Sequence, residues 1–173
     1  WSAENMAVTT YQMSVELFFN MLTNLRNVLA KGAAFAEARK LDAEVLERSR
    51  LAPDMLNLAR QVQLASDFAK NSAARLAAVE PPRFEDTEVA FADLQSRIDR
   101  TLEFLASLTP AQLDGAESRH ISVPLRTRKL EMDGLSFLQK WVLPNFYFHV
   151  TTAYAILRHS DVEGGKQDFL GSV

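Results

Sequence analysis

Four long segments of the sequence carry apolar residues at alternating steps of three and four, and this spacing limits the fold more than any other feature. Residues three and four apart share one face of an α-helix, so each segment predicts a helix with a single apolar stripe. The first stripe contains Tyr11, Val15, Phe18, Leu22, Leu25 and Leu29. The predicted helices cover residues 10–31, 53–79, 87–107 and 135–158. Four such helices in one chain predict an all-α fold, a four-helix bundle.

Glycine, proline and charged residues suggest where these helices end and which faces they expose. Gly32 is expected to end the first helix, and Pro53 is expected to open the second, since proline is tolerated in a first turn. Pro144 should kink the fourth helix, because its nitrogen cannot donate to the residue four positions back. On the third helix, Arg97 is among the polar residues expected to face away from the apolar stripe.

The period of the pattern changes from helical to alternating between the third and fourth helices. Residues 120–125 and 129–133 alternate apolar and polar side chains, which is the pattern of half-buried strands. Pro124 restricts its strand to an edge, because proline cannot donate to the ladder. This region therefore predicts a small β-hairpin between helices three and four.

The two ends of the chain lack a clear helical pattern. Residues 160–173 contain two adjacent glycines and are expected to form an irregular surface tail. Residues 1–9 are expected to be disordered or to derive from cloning, since Met6 could be the natural start. The sequence thus predicts one bundle domain over residues 10–173.

The composition excludes several classes of partner. The 173 residues carry a formal net charge of −3, so no general basic field attracts nucleic acid. No apolar run approaches the roughly 20 residues of a membrane-spanning helix. The chain has no cysteine, which removes disulfides and thiolate metal ligands and favours a cytoplasmic location.

His149 is the polar residue whose surroundings say most about function. Asn145 precedes it by four positions, so both side chains lie on one face of the fourth helix. Buried polar side chains need partners, and such a pair is either a satisfied structural network or a binding site. The other histidines, His120 and His159, do not stand at a spacing that would bind a metal together with His149.

Three stretches of the chain resemble an uncharacterised branch of the DinB/YfiT-like superfamily. They are LPNFYFHVTTAYAILRH at residues 143–159, LAPDM and RQVQ within residues 51–63, and GKQDFLG at residues 165–171. The resemblance extends over nearly the whole chain from Thr10. It implies a four-helix bundle with a long crossover, which often forms homodimers.

The resemblance also implies a metal site from which this chain departs. Better-known relatives bind a divalent metal with three histidines, one on helix two and two spaced by four on helix four. His149 matches one of them, whereas Asn145 and Gln63 fall at the other two. Amide oxygens are poor ligands for zinc or nickel compared with imidazole, so we expect no bound metal and no other cofactor. A polar pocket of Gln63, Asn145 and His149 is expected instead, with Tyr11 as a further lining residue.

Three functions are open at this point. The chain could be a metal-independent enzyme in which His149 acts as a general acid or base while Gln63 and Asn145 orient a small molecule. The same pocket could bind a small molecule without chemistry. The bundle could also serve only dimerisation or interaction. A shifted His149 pKa beside an open cavity favours the enzyme, an ordinary histidine in such a cavity favours binding, and a filled core favours interaction.

Overall fold

The computed structural model describes residues 7–172, and within them four long helices form a bundle. These helices are α1 (Leu17–Arg39), α3 (Leu58–Ala77), α4 (Phe91–Ser107) and α6 (Leu143–His159). Shorter helices are α2 (Ala43–Glu47), α5 (Gly134–Ser136) and α7 (Lys166–Leu170). Strands β1 (His120–Pro124) and β2 (Lys129–Asp133) pair antiparallel as a hairpin. The predicted fold class and the hairpin are therefore confirmed.

The bundle places α1 and α3 at opposite corners. Each of these two helices packs against both α4 and α6. Their apolar stripes meet in one core, in which Phe18 and Phe146 lie edge to face with ring centroids 4.9 Å apart. Helix α3 therefore packs through two faces, one toward α4 and one toward α6.

The prediction that Gly32 ends the first helix is wrong, because α1 continues to Arg39. A Cβ at Gly32 would lie 3.0 Å from the side chains of both Phe91 and Leu157. Close packing of these side chains on the helix backbone therefore accounts for the glycine. The helix ends instead at Lys40, which adopts a left-handed conformation with φ of 53°.

The second and third helices begin later than predicted. Helix α3 starts at Leu58 rather than at Pro53, because the side chain of Asn57 caps it by accepting from the Arg60 amide at 3.0 Å. Helix α4 starts at Phe91 rather than at residue 87. A connection without regular structure thus precedes α4, and charged residues of this connection lie against α3 and α4.

The fourth predicted helix is continuous from Gly134 to His159 but changes its hydrogen-bonding pattern. A π-helical segment, Phe137–Val142, lies between α5 and α6 and ends two residues before Pro144. The Asn145 side chain donates to the Trp141 carbonyl oxygen at 2.6 Å in the same region. Pro144 thus lies in the first turn after a local change from π- to α-helical hydrogen bonding, and the kink expected at this residue stays a prediction.

The C-terminal tail is not irregular, contrary to prediction. Helix α7 packs against α1, where Asn24 donates to the carbonyl oxygen of Leu170 at 2.9 Å. Lys31 and Asp168 form an ion pair at 2.7 Å in the same contact. A sequence pattern of five helical residues is too short to show a period, which explains the missed helix.

The expectation for residues 1–9 falls mostly outside the described part of the chain, and residues 7–9 have no regular structure. Helical turns begin at residue 10 and continue through a π-helical segment, Gln12–Glu16, into α1. Within residues 7–172, no helix combines the length and the apolar character required to cross a membrane.

Candidate functional site

His149 is buried on α6 and is hydrogen-bonded to α3 through Gln61. Its Nδ1 lies 2.7 Å from Gln61 Oε1, and Gln61 Nε2 donates to the Leu56 carbonyl oxygen at 3.2 Å. An amide oxygen accepts but does not donate, so Nδ1 of His149 carries the proton. The lone pair of the neutral imidazole is then on Nε2, which has no hydrogen-bond partner among residues 7–172.

Aromatic side chains surround this imidazole. Phe68 stacks on it with ring centroids 5.6 Å apart, and Phe148 meets it edge to face at 5.4 Å. Burial lowers the pKa of His149 below its ordinary value. The residue is therefore neutral at pH 7, with its tautomer fixed by Gln61.

Gln63 does not join His149, although the sequence predicted that it would. Residues two apart on an α-helix point about 200° apart, so Gln61 and Gln63 face opposite sides of α3. Gln63 accepts from Arg60 at 2.6 Å and donates to Glu88 at 2.8 Å, both on the side of α4. Gln61 therefore takes the place expected for Gln63, and any role of Gln63 in ligand binding stays a prediction.

The spacing of α3 contained a signal for Gln61. This glutamine stands three residues after Leu58 and four before Ala65, both of which are fully buried. A polar residue within an apolar stripe must find a buried partner, and His149 provides one.

The two remaining predicted residues have their polar groups engaged elsewhere. Asn145 is half-buried one turn before His149, but its amide nitrogen donates to the Trp141 carbonyl oxygen. The hydroxyl of Tyr11 donates to the Leu108 carbonyl oxygen at 3.3 Å, at the end of α4. Their predicted contribution to a ligand site remains a prediction.

The metal implied by the superfamily resemblance does not fit these donors. Both polar atoms of Gln61 are already used, by His149 and by Leu56. His149 Nε2 and the Asn145 amide oxygen are left, whereas a zinc site requires about three protein ligands. Within the described part of the chain, no group of three His, Cys, Asp or Glu side chains stands close enough to hold a metal ion.

A second polar cluster, the charge network, lies between α3 and α4. It consists of Arg97, Asp67, Lys70, Asp86 and Glu88. Arg97 was expected to face solvent, but its side chain is 0% exposed and contacts Glu88 and Asp67 at 2.9 Å and Asp86 at 3.1 Å. The expectation failed because these acids lie in the connection before α4 and on α3, where a helical period on α4 cannot reveal them.

A cleft of about 290 Å³ lies next to His149, on the other side of Phe68. Its walls come from α3, the hairpin and the π-helical segment Phe137–Val142. Phe68 separates the two places, since its ring stacks on His149 and also lies 6.4 Å from Trp141 on the cleft wall. His149 itself does not line the cleft.

Comparisons with known proteins place the chain in a family without a described activity. A family model described as Domain of unknown function (DUF1993) matches residues 10–170. A solved structure described as a DinB family member protein from Shewanella denitrificans is 42% identical, covers 94% of this chain and 92% of its own, and superposes with a TM-score of 0.89. Among curated proteins, no relative matches the sequence. The chain therefore belongs to the DUF1993 family and is a DinB-like protein.

Proposed function

We propose that this protein binds a small organic molecule at His149, whose Nε2 accepts a hydrogen bond or a proton from the ligand. The observation that carries the proposal is the 2.7 Å contact between His149 Nδ1 and Gln61 Oε1. This contact fixes the tautomer and leaves the basic nitrogen, Nε2, without a hydrogen-bond partner among residues 7–172.

The pKa of His149 is shifted, but His149 does not line the open cleft beside Phe68, so the criterion for an enzyme is not met. The surroundings of His149 favour binding over strong base catalysis. Gln61 is a neutral orienting group, so it does not stabilise an imidazolium as a carboxylate would. Burial opposes the charged form further, which leaves a weak base with a well-oriented lone pair. Such a nitrogen accepts hydrogen bonds from hydroxyl or acidic N–H groups, and it deprotonates only ligands that are already acidic.

A matched pair of test ligands examines this proposal. Phenol carries a hydroxyl donor and an aromatic ring, whereas anisole keeps the ring and lacks the donor. We expect phenol to shift the NMR signals of the His149 ring in a saturable way and anisole to leave them unchanged. Equal shifts with both ligands, or equal phenol binding by a His149→Phe variant, would contradict the proposal.

The two glutamines of α3 provide an internal control. Gln61→Met should release His149 Nδ1 and mix the two tautomers, as measured by the nitrogen chemical shifts of the ring. Gln63→Met should leave the tautomer unchanged, because Gln63 faces Glu88 on the other side of the helix. An unchanged tautomer in Gln61→Met would show that Gln61 does not orient the imidazole.

We also propose that the protein works in the cytoplasm as a homodimer, which makes interaction the second candidate function. Two large apolar side chains near His149 support this candidate, since Phe148 is 54% exposed and Leu56 is 44% exposed. Large exposed apolar side chains favour association. Sedimentation velocity should show a dimer that Phe148→Ser dissociates, and a single-chain species for the unchanged protein would contradict dimerisation.

A further inference from the structure

We propose that the cleft beside Phe68 is a second binding site, which takes a small aromatic carboxylate with its negative group on Arg75. The inference goes beyond the role of His149 and does not depend on it, because it concerns other polar groups. It rests on one guanidinium, two neighbouring polar side chains and the aromatic wall of the cleft.

Arg75 is half-buried on α3 and lines the cleft. Within residues 7–172 it forms no salt bridge, and its side chain donates only to the Asn71 carbonyl oxygen at 3.4 Å. Burial lowers the pKa of Arg75, and no nearby charge counteracts this effect. Arg97, on the opposite side of α3, contacts three carboxylates. The cleft is therefore distinguished by a partly desolvated guanidinium that is paired with no carboxylate within the described part of the chain.

Two further polar side chains, Asn71 and Ser72, line the same cleft. Neither their amide nor their hydroxyl group has a hydrogen-bond partner among residues 7–172. Together with Arg75 they offer N–H and O–H donors over about one turn of α3. These donors line one cleft and, apart from the long bond from Arg75 to the Asn71 carbonyl oxygen, have no acceptor within the described part of the protein. They suit a carboxylate, which has two oxygens and accepts from several groups.

Aromatic and aliphatic side chains form the rest of the cleft. Phe68 and Trp141 lie on one wall, and Val123 contributes from the hairpin. This combination of an apolar wall with a few polar groups is typical of small-molecule sites. The volume of about 290 Å³ lies at the small end of the range for such sites, so a single aromatic ring with a short acidic chain fits better than a larger ligand.

One carboxylate also lines the cleft, and its position matters for an anionic ligand. Asp67 precedes Arg75 by eight residues, which corresponds to about 12 Å along the helix axis. Asp67 is paired with Arg97 at 2.9 Å and with Lys70 at 3.4 Å. Arg97 and Lys70 thus balance the charge of Asp67 at the end of the cleft that lies farther from Arg75. A bound acid is therefore oriented with its carboxylate toward Arg75.

The test compares an acid with its neutral analogue. Phenylacetate, phenylacetamide and acetate are titrated into the unchanged protein while the indole N–H signal of Trp141 is followed by NMR. We expect saturable binding of phenylacetate, with the amide weaker by about tenfold because it lacks the charge-assisted bond. Acetate lacks the ring and should not shift the signal. This comparison requires no variant, so it does not depend on the folding of a mutant.

Arg75→Gln should weaken phenylacetate binding by about tenfold and leave phenylacetamide binding unchanged. Arg39→Gln, at an exposed arginine on the end of α1, is the matched control and should bind both ligands as the unchanged protein does. Equal affinities for acid and amide would overturn the inference. So would the lack of any saturable shift with benzoate, phenylacetate and hydrocinnamate. Neither outcome bears on the phenol test at His149, so the two proposals fail independently.

Discussion

Polar residues on the two faces of α3 differ in the hydrogen-bonding and charged partners that they have. Toward α4, the charge network surrounds Arg97 with three carboxylates, and Gln63 closes it by donating to Glu88. Toward α6 and the hairpin, the lone pair of His149 and the guanidinium of Arg75 have no partner of matching chemistry within residues 7–172. The charged groups on the α4 side of α3 are thus paired, although the buried Nε of Arg97 lacks a hydrogen-bond partner, whereas Arg75 and His149 on the other side contact no carboxylate within residues 7–172.

This difference distinguishes polar groups that stabilise the fold from polar groups that are available to a ligand. Buried charges that are paired and hydrogen-bonded fix the arrangement of the elements that carry them. Here the charge network ties the connection before α4 to both helices, because Asp86 and Glu88 belong to that connection. Polar groups that are only half satisfied contribute little to the fold and remain available to a ligand. The comparison therefore predicts a large stability cost on the α4 side and a small one on the other.

Replacing Arg97 by leucine should produce the largest effect. The variant would leave the side chain of Glu88, which is only 4% exposed, without its main positive partner. Removing one partner of a buried ion pair typically costs about 3–5 kcal/mol of unfolding free energy. Urea denaturation monitored by circular dichroism measures the loss.

Arg100→Leu serves as the control for Arg97→Leu. Arg100 also approaches Glu88, at 3.7 Å, but its side chain is 47% exposed. Because Arg100 is exposed and its contact with Glu88 is long, the pair contributes at most about 1 kcal/mol, so this variant should be nearly as stable as the unchanged protein. Equal losses in the two variants would show that the charge network is not a buried structural unit.

Replacing His149 by phenylalanine should have an intermediate and pH-dependent effect. The change leaves the buried oxygen of Gln61 without a donor, which costs about 1–2 kcal/mol at neutral pH. The folded pKa of His149 is lowered, so the unfolded chain takes up the proton first as the pH falls through about 6.5. The unfolding free energy of the unchanged protein then decreases through this site, whereas that of the variant does not.

The stability gap between the two proteins should therefore narrow as the pH decreases below about 6.5. Urea titrations of both proteins at a series of pH values measure this gap, in which the contributions of His120 and His159 cancel. A gap that stays constant or widens toward acid pH would mean that His149 is not held neutral in the fold.

The same comparison explains what the sequence could and could not predict. Apolar stripes predict helices because burial follows the helical period, so the bundle and its hairpin were accessible from spacing alone. Helix ends depended on contacts across the fold, as Gly32 illustrates through its packing against Phe91 and Leu157. No local pattern records which side chains will approach a glycine from elsewhere in the chain.

The partners of the polar residues were harder to predict, because a shift of one or two positions along a helix moves a side chain to another face. His149 was singled out correctly as a buried residue, but its partner was expected two positions too late on α3. Arg97 was expected to face away from the apolar stripe, but it is buried between Leu94, three residues before it, and Thr101, four residues after it, both of which are fully buried. The carboxylates that allow its burial come from other segments. A charged residue within an apolar stripe therefore indicates a buried network whose partners only the tertiary structure can identify.

Replacing Arg75 by methionine should produce the smallest change in stability and so tests the comparison most sharply. Arg75 makes one long hydrogen bond to the Asn71 carbonyl oxygen and no salt bridge within residues 7–172. Methionine keeps much of the aliphatic packing and removes a partly desolvated charge. We therefore expect the unfolding free energy to stay the same or to rise by up to about 1 kcal/mol, as often happens when a residue retained for function is replaced. Arg97→Met on the opposite face is the matched control and should lose about 3–5 kcal/mol. A loss of about 2 kcal/mol or more in Arg75→Met, measured by urea denaturation, would show that Arg75 supports the fold, and the distinction between the two faces of α3 would then be wrong.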